Sequence, residues 1–255
     1  MIRYKTPEEI ETLRKCGQIN ARILKEVSKK IKPGVKTSDL DAYAERLLDE
    51  AGAISAFLGY TPKDVKKPYP AVLCVSINEE VVHGIPSEEK VLKEGDIVTI
   101  DLGVSLDGLI TDHAITLPVG KSDESSMKLI RATQEAINAG ISTLKIGGHI
   151  GDFGAAVLEI AKKYNLSIAE DLSGHGVGYD VHEEPFVPNA AKAGEGPELK
   201  EGMVIAVEPM FTLGKGAVKC LSDGYTYVTK DKSRAAHFEH TIAFTKKGIE
   251  ILTRV

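Results

Sequence analysis

Four acids in matching surroundings are the most suggestive chemistry in this chain. Asp101 closes the run Ile97-Val98-Thr99-Ile100, and Glu208 closes Met203-Val204-Ile205-Ala206-Val207, so both carboxylates are expected near a buried part of a sheet. The ten residues from Leu92 to Asp101 align without a gap to those from Leu199 to Glu208. Further on, Asp112-His113-Ala114-Ile115 matches Glu239-His240-Thr241-Ile242 in the same order, as a duplication would leave it. An unpaired buried charge is costly, and burial must raise the carboxyl pKa or recruit a cation. No Lys or Arg occupies a matching position beside these acids, which leaves a metal as the simplest partner. Four carboxylates sum to −4, half neutralised by one divalent ion and balanced by two, so the spacing predicts a two-metal site. The alternative, acids capped by backbone or held neutral, is the usual fate of a single strand-end acid.

His175 lies in Gly174-His175-Gly176-Val177-Gly178, where glycines allow close backbone approach and a neutral imidazole can add a nitrogen ligand. Taken alone, a His between glycines is more often a turn residue. It is not the Gly-x-Gly-x-x-Gly of a dinucleotide site; His182-Glu183-Glu184-Pro185 is not His-Glu-x-x-His, and no Gly-x-Ser-x-Gly is present. Carboxylates with one imidazole suit Mn, Fe(II), Co or Zn, and such a pair of ions activates water for hydrolysis. Without convergent Arg and Lys the site is a poor match for a phosphoryl group, and a substrate with a free amine fits better.

Two helix-then-strand blocks are expected to position these groups. Thr6, Pro7 and Glu9 form a start signal for a helix whose apolar stripe is Ile10, Leu13, Ile19 and Ile23. A second helix is expected over Ser38–Ala51, with Leu40, Tyr43, Ala44 and Leu47 on one side and Gly52 at its end. Thr61–Pro70 reads as a loop, and Ala71–Ile77, Ile97–Ser105 and Leu109–Val119 as strands. The order then repeats: a helix capped by Ser122 running to Leu144, a second over Ile150–Tyr164 carrying Phe153, Val157, Ile160 and Ala161, and strands from Met203 onward. The expectation is one catalytic domain over 1–255, with pseudo-repeat halves of about 1–120 and 121–255.

Composition narrows the function classes. The 255 residues are 42% apolar and 27% charged, the balance of a soluble globular chain. A net charge of −5 and the lack of Trp argue against a nucleic-acid partner. Apolar runs stop far short of a membrane span, and the N-terminal stretch does not resemble a secretory signal. Cys16, Cys74 and Cys220 are odd in number and widely spaced, which suits reduced thiols and a cytoplasmic location.

Together, Asp101 and Asp112 eleven positions apart, Gly-His175-Gly-Val-Gly, Val-Glu208-Pro-Met and Phe-Glu239-His-Thr resemble the type I methionine aminopeptidases. Val81 to Pro86 and Val181 to Pro185 also match, and the resemblance spans nearly the whole chain. It implies an α+β pita-bread fold, a curved antiparallel sheet with two pseudo-symmetric halves and helix pairs on its convex face. It implies removal of the initiator methionine from nascent peptide N-termini when the second residue is small. By the family pattern Asp112 and Glu239 would bridge two divalent ions, Asp101 would serve one, and His175 and Glu208 the other. Glu239 would also shuttle the proton of the attacking water, while His83 and His182 would contact the scissile amide.

A pocket for a flexible thioether should be apolar and aromatic, and alignment offers Phe57, Tyr60, Tyr69, Cys74, Val181 and Tyr225. Three departures from the family pattern bear on it: a long segment between Tyr60 and Tyr69, Val181 where many members have Phe, and Tyr225 where many have Trp. Lys215 and Lys219 stand in a Gly-rich loop that by family resemblance could meet the ribosome near the exit tunnel, though solvated lysines are common. A monomer is the default expectation. The competing readings are an X-Pro hydrolase on the same fold and a peptide-binding module that has lost catalysis.

Overall fold

A computed structural model describes residues 1–62 and 65–254. The Thr61–Pro70 segment expected as a loop is therefore described except for Lys63 and Asp64, which lie outside the described residues, and its described part carries no strand or helix.

The first block opens with α1 (Pro7–Ser28) and α2 (Thr37–Ala51). The expected capping box closes α1: Thr6 Oγ1 accepts from Glu9 N–H at 3.2 Å and Glu9 Oε2 accepts from Thr6 N–H at 2.7 Å. Leu13, Ile23 and Leu24 are buried on its inner face. Helix α2 starts one residue earlier than expected, at Thr37, whose hydroxyl bonds both Ser87 C=O and Ser87 N–H instead of capping. Gly52 ends it in the left-handed conformation at φ 66°, as the sequence predicts. Then follow β1 (Ile54–Ser55), β2 (Cys74–Ile77), β3 (Glu80–Val82), β4 (Ile97–Leu106) and β5 (Leu109–Pro118).

The second block repeats the order with α3 (Glu124–Thr143) and α4 (Ile150–Tyr164). Here the cap differs from expectation. Asp123, not Ser122, is the residue before the first turn and accepts from Ser126 N–H at 2.9 Å, a charge-assisted cap at the positive end of the helix. Ser122 donates its hydroxyl to Asp96 C=O at 2.8 Å. Ten strands come next: β6 (Ser167–Ile168), β7 (Gly174–Gly176), β8 (Glu183–Val187), β9 (Val204–Val207), β10 (Met210–Thr212), β11 (Val218–Cys220), β12 (Tyr227–Thr229), β13 (Ala235–His237), β14 (His240–Thr245) and β15 (Gly248–Ile251). Three of them precede Met203, where strands were expected to begin; they are two to five residues long and two are Gly- or Glu-led, too short for a periodic signal. Lys219 falls in β11 and not in a loop.

All strand pairings are antiparallel. The larger sheets are β1-β4-β2 with β5 on β4, and β15-β14-β9-β7-β8. Helices α1 and α2 pack with the first around Leu24, Leu40, Val75, Val98 and Leu102; α3 and α4 pack with the second around Leu129, Phe153, Ile205 and Phe244. Sheets that each bury one face on a helix pair leave the other face free to build a site. Among the described residues no helix is long and apolar enough to cross a membrane.

Two details correct the sequence reading. Strand β2 begins at Cys74 and not Ala71, because Val72 and Leu73 give their N–H groups to the Asp41 carboxylate. Asp101 lies in the middle of β4, which runs on to Leu106 because β5 pairs along its whole length.

Candidate metal centre

Two antiparallel strand pairs, the long β4–β5 hairpin and the non-consecutive β9–β14 pair, bring the four acids to one place by different registers. Asp101 pairs with Ala114 and Gly103 with Asp112, so the first two acids sit diagonally across β4 and β5. On the other side Ala206 pairs with Thr241 and Val207 with His240, and Glu208 and Glu239 leave the ladder just beyond. Aligned on its acids, the second strand pair is thus shifted by two residues from the first. Across the seam Glu239 N–H donates to Ala114 C=O at 2.9 Å, and Asp112 N–H donates to Thr241 Oγ1 at 2.8 Å.

His175 reaches the same place from β7, where the glycines are needed for closeness rather than for a turn. A Cβ at Gly174 would run into Ala206 C=O, and one at Gly176 into Glu184 C=O. His175 Nδ1 lies 3.0 Å from Gly176 C=O, which can only accept, so Nδ1 carries a proton and Nε2 is the nitrogen that a neutral ring would offer as a ligand. That Nε2 is 3.3 Å from Glu208 Oε1.

One cavity of about 220 Å³ collects these groups. Asp101, Asp112, His175, Glu208 and Glu239 line one part of it, together with His83 and His182. Phe57, Tyr69, Cys74, Val181 and Tyr225 form a buried apolar cluster, with Tyr60 partly buried against it, and all six line the other part. Every residue expected at the site therefore faces this cavity.

The electrostatics are those of a site lacking its counter-charge. Burial, with Asp112 and Glu208 adding repulsion, holds the Asp101 carboxyl well above its usual range. Burial and the three other acids do the same to Glu239. Burial raises Asp112 to about 6, against the opposing pull of His175. Burial also disfavours ionised Glu208, but the His175 and His237 imidazoles outweigh it and bring that group down to about 2. No Lys or Arg lines the cavity among the described residues.

Whether metal ions fit can be asked of the unsatisfied atoms. Asp101 Oδ1 and Glu239 Oε1 are buried without any hydrogen-bond partner, which is rare in folded proteins. Ligand atoms of Asp112, His175 and Glu239 lie within 4.8 Å of one another, as do those of Glu208, His237 and Glu239. Oxygen-rich donors with imidazole nitrogen, orphaned and converging, are the donor set of divalent first-row ions.

Sequence reasoning missed His237. It is buried, with Nε2 3.3 Å from Glu208 Oε2 and neither ring nitrogen hydrogen-bonded. The available signal was its place two residues before Glu239, the same-face spacing of a strand. Val82, Leu172 and Met210 are further apolar wall residues that were not anticipated.

His83 and His182, which are expected at the scissile amide, stand differently. His83 has φ 58°, an uncommon conformation for a non-glycine residue, with its ring edge-on to Tyr227; burial lowers its pKa to about 4. His182, exposed at the rim of the cavity, packs edge-on to His175 with ring centroids 4.4 Å apart, and the crowding of its ring and the other imidazoles lower its pKa. Both rings are neutral at physiological pH.

A duplicated α+β frame around an acid-rich, imidazole-bearing cleft with an apolar annex defines a metal-dependent hydrolase of the pita-bread class. The model of metallopeptidase family M24 matches residues 11–246. The methionine aminopeptidase of Aquifex aeolicus is 48% identical over 256 residues, covering 100% of this chain and 99% of that one. Methionine aminopeptidase 1 of Bacillus subtilis is 43% identical, with both chains covered in full. The crystal structure of the Thermotoga maritima methionine aminopeptidase superposes with a TM-score of 0.95 at 43% identity, again over 100% of both chains. The chain belongs to metallopeptidase family M24, in the branch of the methionine aminopeptidases.

Proposed function

We propose that the protein removes an N-terminal methionine from peptides whose second residue is small, using two divalent ions held by Asp101, Asp112, His175, Glu208 and Glu239. The observation that carries this reading is the pair of orphaned buried oxygens, Asp101 Oδ1 and Glu239 Oε1, in a cavity whose other wall is an aromatic and thiol-bearing pocket.

When bound, the ions lower the pKa of water and polarise the scissile carbonyl. Asp101, Asp112, Glu208, Glu239 and His175 Nε2 would hold the ions, with Asp112 and Glu239 as the ligands that both ions would share, Asp101 serving one and Glu208 with His175 the other. Glu239 also accepts the proton of the attacking water and returns it to the leaving amine. His83 and His182, both neutral, donate to the amide as charge develops on it. The free α-amine of the substrate is drawn to an acid-rich cleft that, among the described residues, no Lys or Arg lines. Phe57, Tyr69, Cys74, Val181 and Tyr225 receive the thioether through dispersion and sulfur–aromatic contacts.

Mn, Fe(II), Co and Zn all suit this donor set, and availability decides among them. The protein works as a cytoplasmic monomer on nascent chains, with exposed Lys215 and Lys219 offered to the ribosome.

Turnover of Met-Ala-Ser and Ala-Pro-Ala with added Mn or Co tests the reading. Free methionine released from the first peptide, with the second untouched, is the expected result. Cleavage confined to Ala-Pro-Ala would establish the X-Pro reading, and binding of Met-Ala-Ser without release of methionine would establish a non-catalytic module.

A further inference from the structure

We propose that Tyr60 is a positioning residue for His182: its phenolic O–H donates to His182 Nδ1 and holds the ring in the tautomer protonated on Nε2. The two atoms are 2.7 Å apart. The direction of the bond follows from the chemistry of the pair. A neutral imidazole nitrogen is a strong acceptor and a phenol a strong donor, whereas a phenol oxygen is the poorer acceptor.

Tyr60 is itself fixed by the apolar pocket. Its carbonyl accepts from Tyr69 N–H at 2.8 Å and from the Tyr225 hydroxyl at 2.9 Å, and its N–H donates to Phe57 C=O at 2.9 Å. Its ring also lies against His182, with centroids 5.4 Å apart. Three pocket residues thus set the backbone of Tyr60, and the Tyr60 hydroxyl in turn sets which nitrogen of His182 carries a proton. Without that hydroxyl the imidazole is free to exchange tautomers, and only one of them has a donor on the nitrogen remote from Tyr60.

The functional part of this inference rests on the reading that His182 donates to the scissile amide, and the test separates the two. Tyr60→Phe keeps the ring and all three backbone bonds. Long-range proton–nitrogen NMR of the zinc-loaded, nitrogen-15-labelled protein, with His182→Ala assigning the signals, reads the tautomer directly. In the parent protein His182 is expected to show an unprotonated Nδ1 and a protonated Nε2; in Tyr60→Phe the two shifts should move toward a tautomer average. With Met-Ala-Ser, kcat should fall about tenfold, with KM changed less than twofold and zinc stoichiometry unchanged. A parent ring protonated on Nδ1, or an unchanged tautomer in Tyr60→Phe, overturns the proposal whatever happens to the rate. A raised KM with unchanged kcat would make Tyr60 a wall of the pocket only. Full turnover by His182→Ala would instead sink the assigned role of His182 and leave the tautomer result standing.

Discussion

The hydroxyl of Thr241 sits astride the backbone of Asp112, accepting from its N–H and donating to its C=O, each at 2.8 Å. In the repeat, Thr241 corresponds to Ala114, whose own carbonyl receives Glu239 N–H. One half of the seam therefore uses backbone where the other uses a side chain. A matching clip lies deeper, where Thr116 Oγ1 accepts from His237 N–H at 2.8 Å and donates to His237 C=O at 2.7 Å. The two acids proposed to span both ions are thus held by hydrogen bonds across the junction of the blocks, in a region closed to water.

Thr241→Val keeps the volume and removes both bonds to Asp112, leaving a buried N–H and C=O unpaired. A loss of about 2 kcal/mol in urea unfolding is expected, with weaker cobalt binding by calorimetry, while Thr241→Ser should recover most of both. Equal cobalt affinity in Thr241→Val and the parent would show that the clip does not position Asp112.

Asp112→Ala and Glu239→Ala each remove a ligand proposed to be shared by both ions, so metal and activity should be lost together. His182→Ala should keep the metal and lose turnover. Metal content by elemental analysis beside methionine release distinguishes them, and a parent-like rate from either acid variant contradicts the bridging assignment.

Chelation should destabilise the fold, because Asp101, Asp112, Glu208 and Glu239 then share a buried cavity without a counter-charge. A bound ion that the unfolded chain does not hold stabilises by mass action, about 4 kcal/mol at a thousandfold excess over Kd. Melting in EDTA should come several degrees below melting with Mn, and coincident curves would mean that the acids do not depend on metal.

Lys5 and Glu183 form an ion pair at 2.8 Å with side chains only 1% and 2% exposed, and Glu183 also accepts from Asp180 N–H at 3.0 Å. This ties the N-terminal segment to the turn that carries Val181 and His182. Lys5→Met removes the buried cation of the pair and should cost about 3 kcal/mol, the low end for a buried pair because Arg3 still reaches that carboxylate. Lys5→Met with Glu183→Gln should regain much of the loss, and thermal unfolding of the two variants decides it.

Much of the site was written into the chain at the level of local pattern. Apolar runs ending in acids, repeated in order, announced Asp101, Asp112, Glu208 and Glu239 as one group, because burial of an unpaired carboxylate is too costly to occur by chance in matched places. The caps at Thr6 and Gly52 were equally local, since each depends on residues within a turn of itself. Tertiary structure decided what depends on neighbours distant in sequence. The two-residue offset between the strand pairs, the left-handed backbone at His83, the presence of His237 beside Glu208 and the grip of Tyr60 on His182 each arise from packing between segments distant in sequence. Side-chain spacing along a strand names which face a residue shares; only the assembled sheets set the distance, register and hydrogen-bond partner that turn a set of acids and imidazoles into a metal site.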